Sequence, residues 1–108
     1  MEIKNDWSFK IHEKYFSIHD WSQLMQILLP SQGAIEVQND QPGKEFPWHE
    51  HNCDETLVIL EGSLRFYWEG GERICHPGDV ICLPKGMRHG SVALENGAKY
   101  IIAMHRAI

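Results

Sequence analysis

The chain has 108 residues, enough for one domain with a single hydrophobic core. Hydrophobic residues make up 43% of it and charged residues 23%, as in ordinary globular proteins. A net charge of −5 argues against a nucleic-acid partner, which needs clustered Lys and Arg, and no apolar run is long enough to cross a bilayer.

The N-terminal stretch and the cysteines indicate the compartment. The first residues are polar and charged and contain no apolar segment of the kind that signal peptides carry. The three cysteines, Cys53, Cys75 and Cys82, are an odd number, which favours free thiols in a reducing environment. We therefore expect a cytoplasmic protein without membrane or nucleic-acid partners.

The first third of the chain predicts little regular structure. Residues 1–18 alternate weakly between apolar and polar and predict one or two short edge strands. Residues 20–29 predict a short helix, because Asp20 is a favourable N-cap and Leu24 and Leu28 are four residues apart. The Pro-Ser-Gln-Gly sequence that follows should end this helix.

After residue 33 the apolar period changes to two, which is typical of strands. Clusters of Gly, Pro, Asn and Asp separate the apolar runs and predict turns. Many short strands at close, regular spacing indicate an all-β sandwich or barrel. The predicted strands are 34–38, 45–51, 55–61, 63–69, 72–76, 79–83, 88–94 and 98–105.

One predicted strand is apolar on both faces. The run from Leu57 to Leu60 contains no polar residue, whereas a strand that is covered on one face should alternate. Both faces must therefore be covered, either by a second sheet together with the N-terminal segment or by a second subunit. We favour a homodimer as the prediction.

Three potential metal ligands surround the start of the same run. One residue separates His49 from His51, and three separate His51 from Glu55. Because side chains alternate along a strand, an extended segment would place all three on one face. Two histidines one residue apart are, by themselves, more often part of a polar face than a metal site. The nearby carboxylate makes a metal site the better interpretation.

The spacing of these residues resembles that of the cupin superfamily. The first motif matches its G-x5-H-x-H-x3,4-E-x6-G pattern from Gly43 to Gly62. Fifteen residues later, a second motif begins at Gly78 and matches G-x5-P-x-G-x2-H-x3-N as far as His89. It departs from the pattern at Ala93, where the family has Asn. The resemblance covers residues 34–104, so it specifies the fold well and any single reaction poorly.

The resemblance implies a cupin jelly-roll β-barrel over residues 34–108, with residues 1–33 as an N-terminal extension that packs on it. It also implies a divalent transition metal bound by four side chains. Imidazole and carboxylate ligands suit Fe, Mn, Ni, Cu, Co or Zn, and a six-coordinate ion would keep two positions for water, dioxygen or substrate. The implied ligands are His49, His51, Glu55 and His89.

The lining of the expected pocket follows from position in the strands. Two aromatic residues precede the first ligand, Cys53 has the parity of the ligands, and three residues of the last strand share one parity. Core packing explains the last three equally well, and a small filler at a bend explains Cys53. The predicted lining residues are Phe46, Trp48, Cys53, Ala93, Tyr100, Ile102 and Met104.

The expected function is metal-dependent chemistry on a small oxygenated organic molecule, with dioxygenase-type chemistry favoured. By analogy with related dioxygenases, Glu55 would be the weakest ligand and could act as a general base. Two alternatives remain open at this stage. One is a small-molecule binding or sensor module without catalysis, and the other is a non-redox isomerase, epimerase or decarboxylase.

Overall fold

A computed structural model describes residues 7–108 of the chain. In this part about half of the residues lie in strands and the one helix is short, as the sequence predicts. The elements are β1 (Lys10–His12), α1 (Trp21–Leu28), β2 (Ile35–Asp40), β3 (Glu45–His49), β4 (Glu55–Trp68), β5 (Gly71–Cys75), β6 (Val80–Leu83) and β7 (His89–Ala103).

Helix α1 forms as its capping sequence predicts. The carboxylate of Asp20 accepts a hydrogen bond from the backbone N–H of Gln23 at 3.1 Å, which satisfies one of the free donors of the first turn. Leu24 and Leu28 are the two buried residues of the helix and lie on one face. The predicted N-terminal strand region contributes only β1, and its residues 1–6 lie outside the described part.

The seven strands of the described residues belong to one antiparallel sheet. Its main path runs β1-β6-β4-β7-β2, while β3 pairs with β7 and β5 pairs with β4. The long strands β4 and β7 pair along most of their lengths and hold the other strands in place. The first half of β7 also pairs with β3, so His49 and His89 are opposite each other.

Strands β4 and β7 each replace two predicted strands. The expected turns around Gly62 and Gly97 are irregularities within continuous strands, with register shifts on both sides of residue 62. Both glycines have a φ of 72°, a conformation that favours glycine. A side chain on Gly62 would overlap the backbone of Gly97. The two strands therefore bend together at this contact instead of reversing direction.

The buried apolar residues form two clusters on opposite faces of the sheet. The inner cluster consists of Leu57, Ile59, Leu64, Phe66, Cys75, Ile81, Leu83, Ala93, Ala98 and Tyr100. The outer cluster consists of Phe16, Leu24, Leu28, Val58, Leu60, Val80, Cys82, Ile101 and Ala103.

The two clusters explain the uninterrupted apolar run of β4. Leu57 and Ile59 belong to the inner cluster, whereas Val58 and Leu60 belong to the outer cluster, where the helix covers them. The N-terminal segment therefore covers the second face within one chain. The apolar run of β4 therefore no longer supports a homodimer, which stays a prediction. The division of the chain at residue 33 also stays a prediction.

Within residues 7–108, no helix combines the length and the apolar character that crossing a membrane requires.

Candidate metal centre and its cavity

A cavity of about 250 Å³ opens at the end of the inner cluster. Strands β2, β3, β4 and β7 supply most of its wall, which combines apolar and polar side chains and, in the described part of the chain, contains no Lys or Arg. The lining residues are Glu36, Gln38, Phe46, His49, His51, Glu55, Leu57, Leu64, Phe66, His89, Ser91, Tyr100, Ile102 and Met104.

Three histidines converge on one point of this wall. One ring nitrogen each from His49, His51 and His89 lies within 4.8 Å of the other two. The Nε2 atoms of His49 and His51 are 3.1 Å apart. His49 is positioned by its pairing with His89, and His51 reaches the group from the segment that follows β3.

Backbone carbonyls orient two of these rings. The Nδ1–H of His49 donates to the carbonyl of Pro47 at 2.6 Å, and the Nδ1–H of His89 donates to that of Met87 at 2.8 Å. In a neutral imidazole, protonation of Nδ1 leaves Nε2 with a free lone pair. The opposite nitrogens are therefore available as ligands, as in metal sites where outer hydrogen bonds fix the tautomer.

Burial keeps two of the histidines neutral. It is the largest cause that lowers the pKa of His89, to about 4, and the neighbouring His49 and His51 lower it further against an opposing hydrogen bond to Met87. Burial and the charge of His49 also lower the pKa of His51. Neutral imidazole is the metal-binding form, so a metal would not have to displace a proton from these two histidines near neutral pH.

Glu55 stands beside the histidines at the start of β4. Its Oε1 is 3.7 Å from Nε2 of His51, and its side chain is largely buried. Burial raises its pKa to about 7, and the nearby Glu36 carboxylate raises it as well. Glu55 is not part of the tight histidine group, so its assignment as a fourth ligand stays a prediction.

His49, His51 and Glu55 were expected to lie on one face of a single strand, but the structure brings them together in a different way. Strand β3 ends at His49, and residues 50–54 form no strand before β4 begins at Glu55. Shared parity along one extended segment therefore does not explain their proximity. A bend between two strands does so, and it allows the ligands to approach from different directions.

Trp48 is a correction to the predicted lining. The register of β3 shifts between Phe46 and His49, so both of these residues face the cavity despite opposite parity. Pro47 lies in this irregularity, where a strand tolerates proline. Trp48 consequently points outward and packs edge-on against Tyr67, with a ring separation of 4.9 Å.

Cys53 and Ala93 also lie outside the lining. Cys53 is exposed at the bend before β4, where strand parity does not apply. Slight burial and the carboxylates of Glu55 and Asp54 raise the pKa of its thiol, which disfavours the metal-binding thiolate. Ala93 follows Ser91 on the same face of β7, but it is buried in the closed part of the inner cluster.

The other four predicted pocket residues, Phe46, Tyr100, Ile102 and Met104, do line the cavity. Among the residues that the sequence analysis missed, Ser91 shares the parity of His89, and this signal was available. Phe66 belongs to the inner cluster, and its ring stacks on His89 at 5.3 Å between centroids. Glu36 and Gln38 gave no signal, because an inward face of a strand is normally apolar.

Comparison with known proteins identifies the family. The model of the Cupin domain family matches residues 36–104, which is well over half of the chain. The chain belongs to the cupin family. No curated protein sequence is significantly similar to this cupin.

Solved structures agree with this assignment. A DMSP lyase from Ruegeria pomeroyi is 28% identical with a TM-score of 0.60, over 64% of this chain and 36% of the lyase. An oxalate decarboxylase from Bacillus subtilis is 27% identical with a TM-score of 0.58, over 63% of this chain and 19% of the decarboxylase. This cupin thus corresponds to a small part of each of those proteins.

A third structure is matched over nearly its whole length. It is a cupin-2 domain containing protein from Shewanella frigidimarina, 23% identical with a TM-score of 0.55, covering 82% of this chain and 93% of that one. At this identity it supports the fold alone. Together with the strand content, these matches confirm the predicted cupin jelly-roll fold.

The residues of this cupin fit a divalent transition metal. Three imidazoles converge beside a carboxylate, and this set of nitrogen and oxygen donors suits Fe, Mn, Ni, Cu, Co and Zn. A closed structural zinc site would instead use Cys and His to fill all four positions. The donor set and the adjoining cavity are those of a metal that keeps room for a ligand.

Proposed function

We propose that this cupin binds one divalent transition metal through His49, His51, His89 and Glu55 and transforms a small oxygenated organic molecule in the adjoining cavity. Dioxygenase-type chemistry is the favoured reaction. The observation that carries the proposal is the convergence of three histidine nitrogens on the wall of a cavity large enough for a small ligand. When bound, the metal would supply Lewis-acid polarisation of the substrate or activation of dioxygen.

Glu55 would move the proton. In the metal-free protein its pKa is raised to about 7, near the value at which a general base works best at neutral pH, and a cation bound to the histidines would lower that pKa. Burial causes most of this shift, so the carboxyl group holds a proton more readily than an exposed glutamate does. It also lies next to the histidine group, within reach of a molecule bound there.

The remaining wall would hold the substrate and exclude water. Leu57, Leu64 and Phe66 give the closed end an apolar surface, and Phe66 also supports the ring of His89 by stacking. Ser91 and Tyr100 add hydroxyl groups to this end. A volume of about 250 Å³ is below the usual range for drug-sized ligands, which favours a substrate of a few carbon atoms.

A non-redox reaction is the second candidate. Two carboxyl groups, Glu55 and Glu36, share the cavity, and such pairs serve proton transfer in many enzymes. Two of the similar structures are an oxalate decarboxylase and a DMSP lyase, whose names describe bond cleavage without net oxidation. We also predict that the protein is cytoplasmic and that it forms a homodimer.

Elemental analysis tests the metal centre first. The protein, purified without added metal or chelator and then reconstituted, should contain about one equivalent of a transition metal. His51→Ala should lose it, while His76→Ala, which removes an exposed histidine outside the cavity, should keep it. Absence of metal from the reconstituted wild-type protein would overturn the proposal.

Oxygen uptake then separates the reactions. The metal-loaded protein is supplied with small diketones, hydroxy acids and keto acids, and dioxygen consumption is compared with substrate loss. Equal consumption of both supports a dioxygenase, whereas substrate loss without oxygen uptake supports the non-redox candidate. Tight ligand binding without loss of any substrate would instead indicate a binding module. Glu55→Gln should slow turnover more than it lowers metal content if Glu55 is a base.

A further inference from the structure

Strand β2 has an inverted pattern of polar and apolar side chains. Glu36 and Gln38 face the cavity, and Asp40 follows them on the same side and is buried. Val37, between them, points away and is 60% exposed. A strand that packs over a core usually points its apolar residues inward. Ile35, which shares the outward face with Val37, packs against the outer cluster, so the apolar face of β2 serves that cluster and its polar face is left to the cavity.

Two of the three have partners inside the protein. The buried hydroxyl of Tyr100 donates a hydrogen bond to Oδ2 of Asp40 at 2.8 Å. Gln38 is in register with Tyr100 and also interacts with its hydroxyl. Glu36 differs from both, because within residues 7–108 its carboxylate forms no salt bridge, and it lies at the accessible side of the cavity.

The strand register places Glu36 near the metal site but outside the histidine group. Glu36 is opposite Ile102 of β7, which is in turn opposite Leu57 of β4. Leu57 is two residues after Glu55, so Glu36 and Glu55 face the same space from two strands apart. A ligand bound at the histidines would share the cavity with the Glu36 carboxylate.

The charges of the cavity determine which ligands it favours. Among residues 7–108, its lining contains two carboxyl groups and no Lys or Arg to oppose them. Because Glu55 would be taken up by the metal, Glu36 would face the distal end of a bound ligand as a free negative charge. Glu36 is exposed at the mouth of the cavity, so water screens its charge, but the charge still disfavours a second anionic group there and favours a cationic one.

We propose that Glu36, assisted by Gln38, forms a specificity subsite for the distal end of the ligand. The preferred ligand would bind the metal through a carboxylate or similar oxygen and present an ammonium, amide or hydroxyl group to Glu36. Dicarboxylates of the same length would bind less tightly. This inference rests on the proposed metal centre, and it adds the chemical class of the substrate.

Three probes of matched shape test the subsite. Propionate offers one carboxylate, β-alanine adds an ammonium at its far end, and succinate adds a second carboxylate there. Their affinities are measured from the visible absorption of the Co(II)-loaded protein, for the wild type, for Glu36→Gln and for Glu95→Gln. Glu95 is an exposed residue of β7 outside the cavity lining, so its variant controls for the loss of one negative charge.

The wild type should bind β-alanine more tightly than propionate, and propionate more tightly than succinate. Glu36→Gln should weaken β-alanine binding and strengthen succinate binding, each by roughly three- to tenfold, with propionate changed less than about twofold. Glu95→Gln should match the wild type. If Glu36→Gln shifts all three affinities equally or leaves them unchanged, the subsite is wrong although the metal centre stands. If the wild type fails to bind Co(II), both proposals fail.

Discussion

The two apolar clusters on opposite faces of the sheet have different boundaries. The outer cluster is closed by α1 and contains only apolar side chains and a cysteine. The inner cluster is open at one end, where the histidines and Glu55 replace apolar residues. Strand β4 contributes alternate residues to each. The comparison shows that one strand can stabilise the fold through one face and carry a chemical site on the other.

The largest expected effect is a loss of stability without a loss of metal binding, which would separate the structural face from the chemical face of the sheet. Leu24→Ala removes a fully buried side chain of the outer cluster and should lower the free energy of unfolding by about 2–5 kcal/mol. Because α1 does not line the cavity, the affinity for metal should stay within about twofold of the wild type. Urea denaturation and metal titration measure the two quantities. A matched variant, Leu64→Ala, changes the cavity wall and should alter ligand affinity as well.

The bend shared by β4 and β7 gives the next effect. Gly62→Ala places a methyl group against the backbone carbonyl of Gly97 at a φ of 72°, and we expect a loss of at least about 2 kcal/mol in urea denaturation. Gly43→Ala is the control, since its φ is also positive but nothing lies within 4 Å of the added carbon. Equal losses for the two variants would show that the contact between the strands does not matter.

A smaller effect concerns Glu55 in the metal-free protein. Its folded-state pKa of about 7 exceeds the ordinary value of 4.5, so the stability that its proton provides is lost as the pH rises between these values. Glu55→Gln should therefore stabilise the metal-free protein by about 1–3 kcal/mol near pH 8 and should have little effect near pH 4. The difference in free energy of unfolding between variant and wild type, measured at each pH, tests this. A constant difference would contradict it.

The smallest effect is the pH dependence of metal affinity. The pKa of Glu55 is about 7, whereas burial lowers those of His51 and His89, the latter to about 4. Protons should therefore compete with the metal first at Glu55, and the affinity should fall about tenfold per unit below pH 7. Glu55→Gln should bind metal more weakly but with a flatter profile near neutral pH. Parallel profiles would remove Glu55 from the ligand set.

Local signals in the sequence predicted the helix and most of the sheet. Asp20 and the spacing of Leu24 and Leu28 indicate α1 from the local sequence, and packing of these leucines in the outer cluster stabilises it. The prediction of chain-reversing turns around Gly62 and Gly97 was wrong, because turn-forming residues also occur in bulges. Only the pairing of β4 with β7 distinguishes the two cases, and one sequence does not reveal that pairing.

The candidate site was predictable where motif spacing specifies it. The spacing indicated His49, His51 and His89, which the structure brings together. The orientation of Trp48 was not predictable, because it depends on a register shift at Pro47 that reverses the parity of β3. Glu36 was missed for a related reason. The side of the sheet that becomes the cavity depends on how β2 pairs with β7, and its apolar residues pointed to the opposite choice.

The buried Thr56 links three separate parts of the chain. Its hydroxyl donates to the carbonyl of His105 and accepts from the backbone N–H of Ala107, while Nε2–H of His105 donates to the carbonyl of Leu28. The C-terminal residues are thus hydrogen-bonded both to β4 and to the end of α1. In amide hydrogen exchange, we expect the helix and this tail to open as one cooperative unit. Removal of the Thr56 hydroxyl should speed exchange in both while the strand pairing around His49 and His89 stays protected.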